Sequence, residues 1–598
     1  MTILPSGALL QALMLAATAV GQPTSEQAGA LLAAGRVDEA IARAAECLPD
    51  PACALVRGRA LFASGRLVEA AQDLQAARSG TLAAHAAKLQ GEALVIAGQP
   101  ADALEPLRAA EQADPDGPAG LRASSLLADA LLGNGEYAKA AEQARQAAEL
   151  PAQPSDVRAG LDLIRAEAFS GRVDAGEEEV ARDAARLWRQ FWLDHPEHPA
   201  SAGARAEEAR LSAISGRPLP APAGRELLLR AQRLLSAGKP GAAVAQAEAA
   251  VKTLRGGDAA EAQLILARAL AADGRRSEAG PALASAWKDG GPRVAAPAGL
   301  LLARDRARRG NDPEAVRILD QLVRRYPQSG EAEEAAYVAA RLQLDQGKEA
   351  DARRRLARIA RRRAGAHASD ARWTVAWLSY RRELPDAAER FAEFTASADS
   401  DAQRAQGLYW QSRVAEPRAA GVFLRRVVEI DPLGYYGLLA RQRLGQVDAE
   451  PPPFPPAAPP PQGDPLPARL ALAADLFRLG LLAEAGAEAD RFVRQRPAQA
   501  ALALPVYERA QRYDRSLALA QSLLGWKAPR PDADPALLEG AYPAAYAPQV
   551  GSSAARARVD PYLLLAVARR ESLFKPDTRS AAGAVGLMQL LPATARRA

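Results

Sequence analysis

Leucine, glycine and alanine recur along the chain in a fixed order, with polar residues between them. The phrase Leu-x-x-x-Gly-x-x-x-x-Ala appears, for example, as LLAAGRVDEA and LFASGRLVEA. Glycine readily takes the left-handed conformation that ends a helix, and a small alanine lets a second helix approach the first. Each unit is therefore predicted to be a helix, a glycine-centred turn and a second helix. The predicted turns are centred on Gly35, Gly65, Gly98, Gly135, Gly171, Gly238, Gly274, Gly310, Gly347 and Gly480.

These units predict an all-α superhelix over residues 24–430. One helix pair cannot bury its apolar stripe alone, so neighbouring pairs are expected to stack side by side. Aromatic residues make up only 5% of the chain, which argues against a sandwich or barrel built on aromatic cross-strand pairs. The pattern resembles the tetratricopeptide-like class, although most of the large aromatic positions of that class are missing. Arrays of this kind bind many different ligands, so the repeats alone do not identify one.

The first 19 residues are predicted to be a signal peptide. Residues 8–20 are apolar, and Ala17-Thr18-Ala19 fits a small-x-small cleavage site. No basic residue precedes Arg36, so a buried N-terminal helix or a misplaced start codon is the alternative. No other apolar run is long enough to span a bilayer, so no membrane span is expected after removal of the signal.

The charge balance argues against a nucleic-acid partner. The chain has 76 basic and 71 acidic residues, a net charge of +5, without the clustering that a nucleic-acid footprint needs. The basic run at 353–365 falls in a helical pattern and is interpreted as a solvated face. A site for an anionic polymer is the weaker alternative.

Cysteine and histidine are too few for a zinc site. Cys47 and Cys53 flank a Pro-Asp-Pro turn and could form a disulfide in an oxidising compartment, or remain as two buried thiols. The segment 194–199 holds two of the four histidines and is interpreted as a polar turn. No metal and no cofactor are expected.

The sequence changes in character after residue 430. Residues 431–445 predict a short helix, and residues 450–465 contain nine prolines, which is typical of a stiff spacer or surface strap. We therefore predict a linker over 431–466, a further helical segment over 467–541 and a separate C-terminal segment over 542–598.

The C-terminal segment begins with a strong helix start at Asp560 and Pro561, and the helix is predicted to run to about Phe574. The helical period places Glu571 on the same face as an apolar stripe of Leu564, Val567 and Ala568. An acid on such a face is expensive to bury in its charged form. We therefore expect a desolvated carboxyl that keeps its proton to a higher pH, as a general acid requires. The alternative is a structural glutamate paired with Arg570 or Arg579.

The residues that follow carry a family resemblance. The ordered set is Glu571-Ser572, Phe574, Ser580, then GAVGLMQ from Gly583 to Gln589, then Pro592-Ala593-Thr594-Ala595. It resembles the start of the catalytic domain of the soluble, periplasmic lytic transglycosylases. A YYG phrase at 435–437 and a YPAAY stretch at 542–546 are similar to that family as well. The resemblance implies a U- or ring-shaped helical superhelix that carries a lysozyme-like domain.

The resemblance also implies roles for individual residues. Glu571 would be the sole catalytic acid and base, cleaving the β-1,4 bond between N-acetylmuramic acid and N-acetylglucosamine with a 1,6-anhydromuramyl product. Ser580, Met588 and Gln589 would bind substrate. The supporting residues would be Ser572, Gly583 and Gly586. The implied partner is the peptidoglycan glycan strand in the periplasm, with envelope proteins as further candidates for the superhelix.

Two observations from the residues bear on the reaction. Glycosidases with two carboxylates need a second acid across the bond, and Asp577 is the only acid after Glu571, so a single-acid mechanism is favoured. A goose-type hydrolase is the narrower alternative.

The family domain continues for about a hundred residues beyond the position of Ala598, so we expect this chain to be a fragment or a truncated product. A non-catalytic scaffold that binds cell-wall strands or envelope proteins is therefore the alternative function.

Overall fold

The computed structural model describes residues 24–150, 155–362, 365–446, 467–525, 533–580 and 583–597. The predicted signal peptide and the proline-rich run at 450–465 lie outside these residues. The described residues are helical, and their only β-type pairing is two isolated bridges that Val585 makes with Arg579 and Leu590. The all-α prediction is confirmed. No helix in the described part of the chain has the length and apolar character needed to cross a bilayer.

Helices α1 to α24 form the repeat array, in which each helix packs mainly against the next one along the chain. Their bounds are α1 Thr24–Ala33, α2 Val37–Ala45, α3 Pro51–Ala63, α4 Leu67–Ala76, α5 Ala83–Ile96, α6 Pro100–Ala113, α7 Pro118–Gly133, α8 Tyr137–Glu149, α9 Ser155–Asp174, α10 Ala181–Asp194, α11 Ala204–Ile214, α12 Gly224–Ser236, α13 Pro240–Thr253, α14 Gly256–Ala272, α15 Arg276–Asp289, α16 Pro292–Arg308, α17 Asp312–Arg325, α18 Gly330–Asp345, α19 Glu349–Ala360, α20 Ala368–Arg381, α21 Ala387–Ala396, α22 Asp401–Val414, α23 Pro417–Ile430 and α24 Tyr435–Arg443.

Eight further helices follow the array. Their bounds are α25 Ala468–Arg478, α26 Leu482–Gln495, α27 Leu504–Arg509, α28 Tyr513–Leu523, α29 Pro535–Ala541, α30 Ala547–Ala557, α31 Pro561–Ser572 and α32 Pro592–Ala595. Short 3₁₀ helices cover Gly80–Leu82, Glu178–Val180, Pro199–Ala202 and Pro497–Ala503.

The repeat phrase has the geometry that its residue types predict. Nine of the ten expected turn glycines have a positive φ, and the alanine five residues after each of the nine is buried. These alanines are Ala40, Ala70, Ala103, Ala140, Ala243, Ala279, Ala315, Ala352 and Ala485. The absence of larger side chains at these positions lets the second helix of each pair lie close to the first.

The prediction for Gly171 is wrong. Gly171 lies inside α9, where an added Cβ would be 2.4 Å from the ring of Tyr137, so it serves close packing rather than a turn. The turn of this unit is made by Gly176, with φ +102°, and the alanine five residues later, Ala181, is fully buried. The sequence contains both candidate glycines, and only the second one has an alanine at the right distance.

Helices α25 and α26 return to the beginning of the array. Leu476, Leu479 and Leu481 share one buried core with residues of the first repeats, including Ala28. The backbone of α1 lies very close to the backbone of the turn after α25. A Cβ added to Gly480 in this turn would lie 2.3 Å from the Gly29 carbonyl oxygen. The prediction of a superhelix that curves back on itself is consistent with this contact.

Buried polar pairs accompany that apolar contact. His85 Nε2 lies 3.0 Å from a carboxylate oxygen of Glu488, and both side chains are almost completely buried. The adjacent pair is Lys88 and Glu484 at 3.1 Å, and Arg491 contacts Asp114 at 2.5 Å. Every one of these pairs joins α26 to the N-terminal third of the chain. Since removing one partner would leave a buried charge unpaired, the pairs strongly favour this one arrangement.

The two cysteines and the basic run have clear environments. The structure joins Cys47 and Cys53 by a disulfide, with their Cα atoms 6.0 Å apart. In the run at 353–365, four arginines form ion pairs with acids of the array, so most of its charge is neutralised locally. They are Arg353 with Asp386, Arg354 with Asp351, Arg355 with Asp320 and Arg362 with Glu333.

The histidine-containing turn at 194–199 is tied to the array. His195 contacts Asp162 through Nε2 at 2.8 Å, and the His198 ring nitrogen accepts a hydrogen bond from the Ala200 amide. Within the described residues, no group of three or more potential ligands could hold a metal ion.

Candidate active site

Helix α31 carries the candidate catalytic residue, and its start is fixed as the sequence predicts. The side chain of Asp560 accepts a hydrogen bond from the Tyr562 amide at 2.8 Å, and Pro561 occupies the first helical position. The helix buries Leu565, Ala568 and Ser572 along one side. It ends at Ser572, two residues earlier than predicted.

Glu571 is exposed at the last turn of α31, so the predicted burial of its carboxyl is wrong. The buried stripe runs through Leu565, Ala568 and Ser572, one residue away from the stripe that the periodicity suggested. Neighbouring positions on a helix point 100° apart, so this small offset moves Glu571 from the packed side to its edge. Glu571 forms no ion pair with a described residue, which excludes the predicted alternative of pairing with Arg570 or Arg579 in this structure.

The end of α31 is held by unusual backbone geometry. Leu573 and Phe574 have φ values of +52° and +63°, a conformation that costs free energy for residues with a Cβ. The Phe574 ring is buried in a cluster with Leu517 of α28, and the Tyr546 hydroxyl donates to the Phe574 carbonyl at 3.3 Å. Tertiary packing therefore fixes the chain directly after Glu571.

Ser572 connects the catalytic helix to the loop that carries the rest of the motif. Its hydroxyl lies 2.9 Å from the Leu587 carbonyl and 3.0 Å from the Ala568 carbonyl, and the side chain is 5% exposed. The serine next to Glu571 therefore has a supporting position, consistent with the role that the resemblance implies.

The loop from 583 to 591 is built on two glycines in the left-handed conformation. Gly583 and Gly586 both have φ +81°, which a residue with a Cβ adopts only with strain. The Gln589 side-chain amide donates to the carbonyls of Thr578 and Gly586, each at 2.9 Å. Both donor hydrogens of Gln589 are thus used within the loop, and its side-chain oxygen is the atom left for a ligand.

Ser580 and Met588 have different environments, one exposed and the other half-buried. The Ser580 hydroxyl oxygen accepts from the Ala584 amide at 3.0 Å, and the side chain is exposed, so its O–H remains available as a donor. Met588 is half-buried against the cluster that holds Phe574. A packing role therefore accompanies any contact of Met588 with a ligand.

Residues of the preceding helical segment reach this region, and sequence reasoning missed them. Asp514 of α28 lies 3.7 Å from Lys575 and 3.2 Å from Arg512. Burial tends to raise the pKa of Asp514, but its hydrogen bond with Arg512 and the charges of Arg512 and Lys575 hold the pKa below its usual range.

Tyr546, the second tyrosine of the YPAAY stretch, was missed as well. Burial, together with the nearby Tyr513, Asp514 and Asp577, raises the pKa of Tyr546 to about 12. Its hydroxyl thus stays a neutral donor to Phe574. The motif does not indicate that Asp514 and Tyr546 lie here, because their contacts with Lys575 and Phe574 join distant parts of the chain.

Comparison with known families identifies this region. Residues 549–598 match the family described as Transglycosylase SLT domain. The C-terminal segment therefore carries a match to the transglycosylase SLT domain. Residues 55–118 and 228–295 match the tetratricopeptide repeat family, in agreement with the repeat pattern. The SLT match includes α31 with Glu571 and the whole loop that carries Ser580 and Gln589.

The chain is also similar to solved structures. The 70 kDa soluble lytic transglycosylase from Escherichia coli is 17% identical with a TM-score of 0.51, and the alignment covers 92% of this chain and 81% of that chain. The same values hold for the complex of the 70 kDa soluble lytic transglycosylase with bulgecin A. An inactive mutant of the lytic transglycosylase Slt from Pseudomonas aeruginosa is 18% identical, with a TM-score of 0.44 and coverage of 90% and 80%. The predicted resemblance to lytic transglycosylases is confirmed at the level of fold and SLT domain.

Proposed function

We propose that this SLT-containing chain is a peptidoglycan lytic transglycosylase in which Glu571 is the sole acid and base. The observation that carries the proposal is the state of that carboxylate. It is exposed, it has no ion-pair partner among the described residues, and it ends a helix whose last turn is tied to the motif loop through Ser572. The helical position separates Glu571 from Asp577, which is equally exposed and unpaired among the described residues but lies outside the helix, after Pro576.

The reaction would proceed in two proton transfers at one carboxyl group. Protonated Glu571 would donate its proton to the oxygen of the β-1,4 bond between N-acetylmuramic acid and N-acetylglucosamine, and that bond would break. The resulting carboxylate would take the proton from the 6-hydroxyl of the muramyl residue as this oxygen closes onto C1. The product is a 1,6-anhydro end, and the enzyme returns to its starting protonation state.

Ser580 and Gln589 would hold the sugar beside Glu571. The Ser580 hydroxyl has a free donor hydrogen and the Gln589 amide has a free acceptor oxygen, so together they can pair with a hydroxyl or an N-acetyl group. Because the Gln589 donors are occupied by loop carbonyls, its oxygen is held in a fixed orientation. Such pre-positioned polar atoms lower the cost of orienting a substrate.

The test compares two acidic residues of the same segment. We expect Glu571→Gln to lower formation of 1,6-anhydromuropeptides by at least about 1,000-fold, since it removes the only proton donor and acceptor. Binding to sacculi should be retained. The matched control is Asp577→Asn, because Asp577 is also exposed and has no ion-pair partner among the described residues. It should change turnover by less than about threefold. Equal losses in the two variants would contradict the single-acid mechanism.

The same measurement separates the alternative functions. A reducing end in place of the 1,6-anhydro end would show hydrolysis. Binding to sacculi without any product, in wild-type protein, would show the non-catalytic scaffold. We also propose export to the periplasm, and its test is the N-terminus of the mature protein. Loss of about the first 19 residues supports export, whereas an intact Met1 on cytosolic protein contradicts it.

A further inference from the structure

The net charge of the chain is concentrated in its C-terminal segment. Residues 542–598 contain eight basic and three acidic residues, a net charge of +5. Of the totals of 76 and 71, this leaves 68 basic and 68 acidic residues for residues 1–541, which are neutral as a whole. The overall charge therefore belongs almost entirely to the segment that carries the SLT match.

Most of these basic side chains are exposed and have no acidic partner among the described residues. Six arginines of the segment are exposed and form no ion pair with a described residue, and we call them the C-terminal basic surface. They are Arg556, Arg558, Arg570, Arg579, Arg596 and Arg597. Of the remaining two basic residues, Arg569 stacks over the Tyr542 ring at 4.6 Å and Lys575 lies near Asp514.

Residues 1–541 have as many acids as basic residues, so many arginines of the repeat array form ion pairs, although some exposed ones do not. The densest basic run of the array, at 353–362, has four of its arginines paired with acids from its own or a neighbouring helix. Arginine is about equally frequent in residues 1–541 and in residues 542–598. Only the C-terminal segment, however, has a net positive charge. With only three acids for its eight basic residues, the segment leaves an excess of positive charge, and such a surface is suited to anions.

The positions of the arginines relate the surface to the candidate active site. Arg570 directly precedes Glu571, and Arg579 directly precedes Ser580. Arg596 and Arg597 follow the short helix α32 that ends the motif. Unscreened charge attracts an anionic polymer over about 10 Å at 0.1 M ionic strength. The surface would thus act on a polymer before any sugar reaches Glu571.

The arginine side chains also indicate which chemical groups of the ligand they would bind. Its planar guanidinium pairs with carboxylates and phosphates through two parallel hydrogen bonds. The sugar rings of a glycan strand are uncharged, whereas the stem peptides attached to the muramyl residues end in free carboxylates. We propose that the C-terminal basic surface captures peptidoglycan through these stem carboxylates, so that the chain favours strands whose stems are not amidated. This inference rests on the proposed function for the identity of the polymer.

The test measures binding separately from turnover, in the Glu571→Gln background of the full chain. Sedimentation with purified sacculi gives the dissociation constant at about 0.05 M and at about 1 M salt. The first variant replaces Arg556, Arg558, Arg596 and Arg597 with glutamine and leaves the arginines beside Glu571 and Ser580 in place. The matched control replaces four exposed array arginines that have no ion pair with a described residue. These are Arg217, Arg268, Arg358 and Arg361.

The Glu571→Gln parent has a net charge of +6, one more than the +5 of the wild-type chain, and both sets of substitutions lower it to +2, so they differ only in location. Each exposed ion pair contributes roughly a twofold effect on binding, so the first variant should bind sacculi about tenfold more weakly at low salt. The control variant should bind as the parent does. The difference should disappear at about 1 M salt, and amidation of the sacculi with a carbodiimide and ammonia should remove it at low salt.

Several results would overturn the inference. Equal weakening in the control variant would show that total charge, rather than this surface, matters. Unchanged affinity for amidated sacculi would show that carboxylates are not the ligand. Tighter binding to vesicles of anionic phospholipid than to sacculi, lost in the first variant, would assign the surface to a membrane.

The inference and the proposed function can fail separately. Charge-dependent binding without any 1,6-anhydro product in the wild-type chain contradicts the proposed function alone, and product formation with salt-independent binding contradicts this inference alone.

Discussion

The contact between Gly480 and Gly29 gives a sharp test of how α25 returns to the first repeat. Gly480 has φ +77°, and a Cβ added there would lie 2.3 Å from the Gly29 carbonyl oxygen. Gly347 has nearly the same conformation, with φ +73°, but nothing lies within 4 Å of its added Cβ. Both Gly480→Ala and Gly347→Ala therefore force a residue with a Cβ into a left-handed backbone conformation. Only Gly480→Ala also creates a steric clash.

The shared cost is the left-handed backbone, which takes about 1–2 kcal/mol from a residue with a Cβ. Gly480→Ala must in addition move α1 and α25 apart by about 1 Å to reach an ordinary contact distance. Interiors are close-packed, so such a separation loses dispersion contacts across the whole patch. We expect at least about 2 kcal/mol beyond the shared cost, comparable to overpacking a core.

Hydrogen exchange with mass spectrometry is the suitable assay, because repeat arrays unfold in parts and global denaturation would average over them. An extra 2 kcal/mol corresponds to about 30-fold faster exchange in α1 and α25. Gly347→Ala should accelerate exchange only in α18 and α19, by about tenfold. Gly29→Ala is the reciprocal variant, since its added Cβ would lie 2.4 Å from the Arg478 carbonyl oxygen. Because Gly29 lies inside α1 and has no left-handed backbone cost, it should show only the part of the effect that comes from the close contact. Equal exchange rates in α1 for the Gly480 and Gly347 variants would refute the closure contact.

Three further predictions follow from other contacts. Ser572→Ala removes the hydroxyl that connects α31 to its loop, so we expect a loss of about 1 kcal/mol in local stability, measured by exchange in the loop, and a fall in turnover with little change in sacculus binding. Because burial raises the pKa of Tyr546 to about 12, the stability that it contributes should be complete below about pH 10 and lost as the pH rises towards 12. An absorbance titration at 295 nm should show this late ionisation and lose it in Tyr546→Phe. Mass spectrometry without reduction should find Cys47 and Cys53 joined in exported protein, and alkylation of both thiols on folded protein would contradict the disulfide.

The repeats could be predicted from sequence because their signal is local. A glycine and an alanine five residues apart define the turn and the packing position within one unit, and nine units have that geometry. The tenth, at Gly171, failed because the phrase around it contains a second glycine at 176. The alanine five residues after Gly176 marks the true turn, and Gly171 instead packs against Tyr137 of the preceding helix α8.

The return of α26 to the array could not be predicted from the sequence. His85 and Glu488 are 403 residues apart, and neither has a sequence neighbourhood that marks it as half of a buried pair. Each residue alone is an ordinary polar position on an amphipathic helix. The pairing depends on the accumulated curvature of more than twenty helices, for which a repeat pattern sets no numerical value.

For the candidate active site as well, the sequence predicted which residue types are present but not how they are arranged. The motif identified Glu571, Ser580 and Gln589, but the periodicity placed Glu571 on the wrong side of α31. An apolar stripe on a short helix is uncertain by one residue, which is about 100° of rotation. The use of the Gln589 donors by its own loop was equally hidden, because it follows from the left-handed turn at Gly586 rather than from any property of glutamine.

The helices between the array and the C-terminal segment contact both the first repeats and the backbone next to Glu571. At one end, α26 holds the N-terminal repeats through Arg491 and Asp114. Within the unit, the buried Tyr507 of α27 donates to Asp490 of α26 at 2.7 Å. At the other end, Tyr513 of α28 packs against the ring of Phe574, three residues after Glu571. The backbone that follows Glu571 is therefore braced by α28, which packs in the same helical segment as the closing helix α26. The array supports the candidate active site through this continuous packing, since α31 alone is too short to be a stable helix in water.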